Sequence, residues 1–392
     1  MSDLVDEAPH STRTAVSIDP NPATAPASRD SCAHNHFPLR DLEAQLAVLR
    51  FDSDDSASRA QALQALCAAA LDRLPLPAHG HTALRWSALA AVAACDLALV
   101  KLYEGHTDAL AILAELDAAS LAVPHSRWGV WAAEPPQPKV EARTGNGRAL
   151  LLHGVKPWCS GAGALTHALV TVSRDDGAPV LAAVDLAQRS ISVSDAGWQA
   201  VGMAATGTAE VRFDGAHAVQ LGEPNAYLER PGFWHGGAGI AACWYGAAAQ
   251  LGATLRATVA RRRDPHACAH LGAVDIHLAA AGALLRETAA WLDRHPDQDA
   301  MRGALRTRLA VEHAASAVLM HVTRALGAGP LCSERRFARA AADLPVFLRQ
   351  SHAERDEAAL GMALVDAQLD VSVDPSANAS ATLDTAWRLD DT

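Results

Sequence analysis

Gly154-Val155-Lys156-Pro157-Trp158-Cys159-Ser160-Gly161-Ala162 lies at the centre of a block unlike the rest of the chain. From Pro124 to about Gly222 the sequence consists of short β-rich runs, at 148–153, 168–173, 180–185, 190–193 and 209–213. Gly, Pro and Asp break them at short intervals, which predicts a compact barrel or sandwich. In the quoted stretch, strand alternation places Trp158 and Ser160 on the same face. Gly145-Asn146-Gly147 stands between two β-type segments and reads as a hairpin turn. No Gly-x-Gly-x-x-Gly opens a helix after a strand, and strands do not alternate with helices, so a doubly wound dinucleotide fold is excluded.

On either side of this block the periodicity is helical. Before it, Leu42, Leu46 and Leu49, then Ala60, Leu63, Leu66 and Ala70, recur at helical spacing. Asp52 to Ser56 interrupts them as a loop that supplies an N-cap. The run 86–103 reads as a buried helix, and His106-Thr107-Asp108 as the cap of a further short helix over 109–116. After Pro231 four long helices are expected, over 236–263, 271–295, 298–327 and 337–368, the last broken near Asp343-Leu344-Pro345. They suggest a bundle. The fold class is thus α+β and multidomain. Its expected parts are a disordered tail (1–36), an N-terminal helical domain (37–122), a small β-barrel or sandwich (123–230), a C-terminal four-helix bundle (231–368) and a polar tail (369–392).

The 392 residues carry a net charge of -11, which disfavours a nucleic-acid surface. The seven cysteines are odd in number, widely spaced and mostly set in apolar runs, as in a reducing compartment. No apolar segment follows Met1, and polar residues break every apolar run of membrane-spanning length. A cytoplasmic protein is expected. Among the histidines, His34, His36, His79 and His81 form no ligand motif. His266 and His270 have i, i+4 ligand spacing, but no acid is placed as in His-Glu-x-x-His, so no metal is expected.

Four stretches resemble the acyl-CoA dehydrogenase family over about residues 40–365. Residues 154–162 look like its G-x-K-x-W-x-T/S-N/G-A strand. Residues 201–214, from Val201-Gly202-Met203 to Phe213-Asp214, are similar to its G-M-R-x-T-x-S-x-x-V-x-F segment. Arg261-Arg262-Arg263 stands where the family has an Arg-loop, with Asp264-Pro265 in place of Phe-Gly and Gly272 in place of Gln. Gly327-Ala328-Gly329-Pro330 stands where it has a Gly-Gly-x-Gly turn. The resemblance implies the family's fold, a bound FAD and a homodimer or homotetramer. It also implies oxidation at a CH–CH bond of a small-molecule acyl thioester, with an electron acceptor or a flavin reductase as partner.

The expected flavin contacts are Trp131, Glu134, Trp158, Ser160, Arg261, Gly327 and Gly329. A flat indole at Trp158 can cover an isoalloxazine ring, and the Ser160 hydroxyl can hydrogen-bond beside it. Arg261 can hold a phosphate, and the two glycines let backbone pass close to one. In the family these last elements come from a neighbouring subunit. The family's T-E-x-x-x-G-S-D loop is represented by residues 129–136, where only Glu134 corresponds.

Dehydrogenation needs a carboxylate base. The usual position falls at Gln350 or Ser351, and a second at Ala242-Cys243-Trp244. The nearest replacements are His352 and Glu354, and His235 precedes a helix that could face the site. A His at this place resembles the flavin monooxygenases of the same fold, which use reduced flavin and oxygen. A degenerate flavin-binding or scaffold subunit is the third reading.

Overall fold

The structure, a computed structural model, describes residues 37–51, 55–133 and 139–371. Expectations that fall on 1–36, on Glu134 and on 372–392 lie outside these residues.

The chain opens with α1 (Leu39–Val48), α2 (Ser56–Ala68), α3 (Thr82–Cys95) and α4 (Leu97–Glu115). Asp55 caps α2 by accepting the Ser58 N–H at 2.8 Å, as its place before the apolar periodicity predicts. The expected helix boundaries further on do not hold. The break falls at Asp96, and α4 runs unbroken through His106-Thr107-Asp108. Asp96 supplies the real cap, accepting the Leu99 N–H at 2.8 Å while pairing with the fully buried Arg59 at 2.9 Å. The polar trio is satisfied sideways instead. His106 Nε2 meets Asp72 at 2.9 Å, its Nδ1 accepts the Trp128 N–H at 3.1 Å, and Thr107 donates to the Glu104 carbonyl at 3.2 Å.

The β-rich block forms β1 (Trp128–Trp131), β2 (Val140–Thr144), β3 (Ala149–Cys159), β4 (His167–Arg174), β5 (Pro179–Asp185), β6 (Ile191–Ser194) and β7 (Ala209–Leu221). Pairing runs β4-β2-β3-β7-β5 and returns to β4, so five strands close into a small barrel. β1 adds to β4 in parallel and β6 to β7 antiparallel. Gly145-Asn146-Gly147 makes the β2–β3 turn, where the Gly145 N–H donates to the Ala149 carbonyl at 2.8 Å.

The remainder is helical: α5 (Ala226–Glu229), α6 (Gly232–Arg261), α7 (Pro265–Arg294), α8 (Met301–Leu326), α9 (Ala328–Ser333), α10 (Arg335–Leu348) and α11 (Glu354–Val371). α6, α7 and α8 pack against one another, α6 lies on α3, and α11 rests on α8. A Cβ on Gly246 would stand 2.1 Å from the Ala90 carbonyl, so only glycine allows α6 this close to α3. α7 starts earlier than expected, because Asp264 caps it by accepting the Ala267 N–H at 2.7 Å and Pro265 fits the first helical position.

The expected break at 343–345 is not there. Pro345 sits inside α10, and the chain turns instead at 349–353, where Ala353 has φ 46°. Contrary to the expectation that polar residues break every apolar run of that length, one helix among the described residues, α7, is long and apolar enough by length and composition to cross a membrane; it lies along α6 and α8, with 22% of its apolar window buried.

Candidate functional site

α4, β1, the end of β3, the start of α6 and the α10–α11 turn enclose a cavity of 730 Å³. Its walls carry Trp131, Trp158, Trp198, Phe233 and Trp234, so much of its surface is flat and aromatic.

Trp158 and Ser160 both face this cavity, but not by strand alternation. A bulge between Lys156 and Cys159 interrupts the β3–β7 register, and Trp158 adopts a left-handed φ of 58°. The indole is 54% exposed, which for so large an apolar side chain marks a surface kept open for something to cover. Backbone strain of this kind concentrates at functional sites. Ser160 follows the strand's last residue. Its hydroxyl accepts from Thr208 at 3.2 Å, and Thr208 lies 2.7 Å from Thr206, making a run of hydroxyls along one wall. Trp131 Nε1 donates to the Ser160 carbonyl at 3.2 Å and fixes this corner.

The loop carrying Met203 and Thr206 is fastened from behind. The Met203 N–H donates to Asp343 on α10 at 2.5 Å, and a Cβ on Gly202 would sit 2.2 Å from the Ala342 carbonyl. Burial lifts the Asp343 carboxyl to about 6.

α4 supplies the polar wall. Lys101, Glu104 and Asp108 recur at i, i+3 and i+7 and so share one face, which lines the cavity. Glu104 is buried and is joined by Lys101 at 3.2 Å. Burial raises its carboxyl above the ordinary range, and the lysine opposes that shift. The sequence reading marks neither Lys101 nor Glu104, and takes Asp108 only as part of a helix cap. A polar stripe in an otherwise apolar helix is the signal that could have found them.

The opposite rim is the α10–α11 turn. His352 lines the cavity, with Nδ1 3.4 Å from Asp356 and its backbone N–H donating to the same carboxylate at 3.0 Å. A base oriented by a carboxylate has the arrangement of an acid–base catalyst. Gln350 also faces the cavity, with its side-chain oxygen buried and without a hydrogen-bond partner among the described residues. Arg308 on α8 holds the turn. It donates to the carbonyls of Gln350 at 2.9 Å and Gly237 at 2.7 Å, and its guanidinium lies over Trp244. Burial depresses its pKa.

The structure thus brings Trp131, Trp158, Ser160 and His352 together, and adds Glu104, Asp108, Arg308 and Asp356. Glu354 does not join them. It is the exposed first residue of α11 and does not line the cavity. Arg261 ends α6 as an exposed residue, and Gly327 and Gly329 flank open space around α9; none lines this chain's cavity. His235 is buried beside the lining residue Trp234, and its Nε2 has no hydrogen-bond partner among the described residues. Cys243 is enclosed within α6.

No protein-family model and no curated protein sequence matches the chain. Solved structures do. KijD3 in complex with FMN and a dTDP-sugar is 19% identical, with 84% of this chain and 93% of that one covered and a TM-score of 0.72. FMN-bound TdsC from Paenibacillus sp. A11-2, a dibenzothiophene monooxygenase, is 16% identical over 84% and 96%, with a TM-score of 0.69. A glutaryl-CoA dehydrogenase from Mycobacterium smegmatis in complex with FADH2 is 15% identical over 84% and 94%, with a TM-score of 0.70. The chain has the acyl-CoA dehydrogenase fold.

Proposed function

We propose that this chain is a flavin-dependent oxidoreductase, and that it oxygenates a small substrate using reduced flavin and dioxygen. The observation that carries this reading is the rim of the cavity. Gln350 or Ser351 falls where the family resemblance would put the carboxylate of a dehydrogenase; Gln350 lines the cavity, and a His352–Asp356 pair stands beside it. The aromatic lining, the open face of Trp158 and the unpartnered Gln350 oxygen fit a planar, polar-edged ring such as isoalloxazine. Bound flavin would supply hydride transfer and, when reduced, oxygen activation. Trp158 would cover one face of the ring, the Ser160–Thr208 hydroxyls would hydrogen-bond its polar edge, and His352 would hold or deliver a proton, oriented by Asp356. KijD3 and TdsC, which carry FMN, and the reduced-flavin dehydrogenase support a flavin in this fold.

FAD carries a second phosphate and an adenosine that FMN lacks. A neighbouring copy presenting Arg261, Gly327 and Gly329 would hold them. The exposed apolar face of α7, with Ile276 on it, supports a homo-oligomer. The same reading divides the chain into an N-terminal helical domain, a β-domain and a C-terminal bundle.

A second reading, α,β-dehydrogenation of an acyl thioester, is favoured by one observation: Glu104 offers a buried carboxylate from α4. Two experiments separate the readings. The purified protein is expected to bind flavin, identified after release, and to turn over aromatic or amino-sugar substrates only with reduced flavin and oxygen. Anaerobic bleaching by a panel of acyl-CoA thioesters would instead establish the dehydrogenase, and a protein that takes up no flavin would sink both.

A further inference from the structure

The sequence pairs His266 with His270, one turn apart; the fold gives His270 a different partner. Its Nδ1 lies 2.9 Å from Nδ1 of His321, 51 residues away on α8, and the two ring centres are 5.2 Å apart. The ring of His277 is 6.1 Å from that of His321. His270 and His277 are seven residues apart on α7 and so point the same way, with His321 set against them from the facing helix. The cluster belongs to neither the cavity nor the barrel, and no acid-base role accounts for it.

We propose that His270, His277 and His321 form a binding site for a divalent transition-metal ion of the zinc class. Two imidazole nitrogens bound at about 2.0–2.1 Å stand about 2.9–3.4 Å apart for bond angles between a right angle and the tetrahedral one. The observed 2.9 Å between His270 and His321 falls at the edge of that window without movement. Of the two neutral rings, the one that carries its proton on Nδ1 shifts it through solvent to its own Nε2 as the metal binds, so that each ring stays neutral and protonated on its outer nitrogen. His277 completes the set by turning its half-buried side chain toward His321. Arg324 lies one turn after His321 on α8. Arg324 opposes the cation and limits the affinity.

Among the described residues, Cys67, Asp72 and His106 are the three whose ligand atoms already lie within 4.8 Å of one another, whereas His277 must turn to join His270 and His321; yet the buried group is not such a site. There Nδ1 of His106 accepts the Trp128 N–H, so Nε2 must carry the ring proton that it gives to Asp72. A protonated nitrogen cannot bind a metal.

The test is titration of chelator-treated, untagged protein with Zn2+ by calorimetry, with thermal melting as a second readout. Wild type is expected to take up one ion per chain and to melt higher with it. His321→Ala should weaken uptake by about tenfold or more and abolish the thermal shift, His277→Ala should weaken it less, and His266→Ala should change nothing. All three positions lie at the surface of long helices, and circular dichroism of each variant confirms that it folds. Failure of wild type to bind, or undiminished binding by folded His321→Ala, overturns the site.

Discussion

The two polar walls of the cavity are built in opposite ways. Lys101, Glu104 and Asp108 ride on α4, a long helix buried on most sides, and are fixed by packing before any ligand arrives. His352 and Asp356 sit at an exposed turn between α10 and α11, held by a few hydrogen bonds, chiefly those of Arg308. The difference teaches that one wall is part of the fold's stability and the other is attached to it. Damage to the first should unfold the protein, and damage to the second should leave it folded and inactive.

The largest effect is expected at the foot of α4. Asp96→Ala removes the helix cap and breaks the buried ion pair with Arg59, which keeps its bonds to the Asp55 carbonyl and the Ser58 hydroxyl. Breaking a buried ion pair by removing one partner costs about 3–5 kcal/mol, so urea unfolding should show a loss of that size. A loss below about 1 kcal/mol would show that α4 is not the rigid wall argued here.

Behind the rim the effect should depend on pH. Burial lifts the Asp343 carboxyl from 3.8 to about 6, so the folded state holds that proton more tightly than the unfolded chain does. Its contribution to stability is therefore complete below about pH 4 and is lost as pH rises through about 6. Asp343→Asn keeps an acceptor for the Met203 N–H without the charge. Relative to wild type it should gain about 2–3 kcal/mol between pH 4 and pH 7, read from unfolding curves across that range. Equal pH slopes in both proteins would mean that the carboxyl is not confined by α10.

Arg308 joins the two walls to the helices, and its replacement should be intermediate. Arg308→Met loses donors to Gly237 and Gln350 and costs about 1–3 kcal/mol. Hydrogen exchange should quicken at 349–353 and stay slow in α4; quickening in both would merge the walls into one unit.

How far each wall was legible in the sequence follows from the same contrast. The strand block, the Asp55 cap and the aromatic strand end are local signals, and they gave the barrel and Trp158 with Ser160. α4 was misread because His106, Thr107 and Asp108 look like a cap unless one knows that Asp72 and the Trp128 N–H wait across the core. With the helix cut there, its stripe of Lys101, Glu104 and Asp108 was lost. Pro345 misled in the same way, since a helix tolerates one missing N–H when packing holds it. His352 was found from its place in a pattern, but Asp356 belongs to the next helix turn and needed the geometry of the α10–α11 turn. His321, set 51 residues from His270, carries no local signal at all.

The smallest change in stability and the sharpest change in function should meet at His352. Its imidazole is exposed, and its side-chain contact is Asp356 at 3.4 Å. Removing an exposed side chain of this kind alters stability by no more than about 0.5 kcal/mol. If it handles a proton in the oxidation, His352→Ala should lower turnover by about 100-fold or more at unchanged flavin content. Asp356→Asn should lower it less, because the ring survives but loses its orientation. Glu354→Gln, at an exposed side chain that does not line the cavity, should behave as wild type. Should Glu104→Gln prove the damaging change while His352→Ala stays active, the proton moves on the buried wall, and the dehydrogenase reading takes precedence.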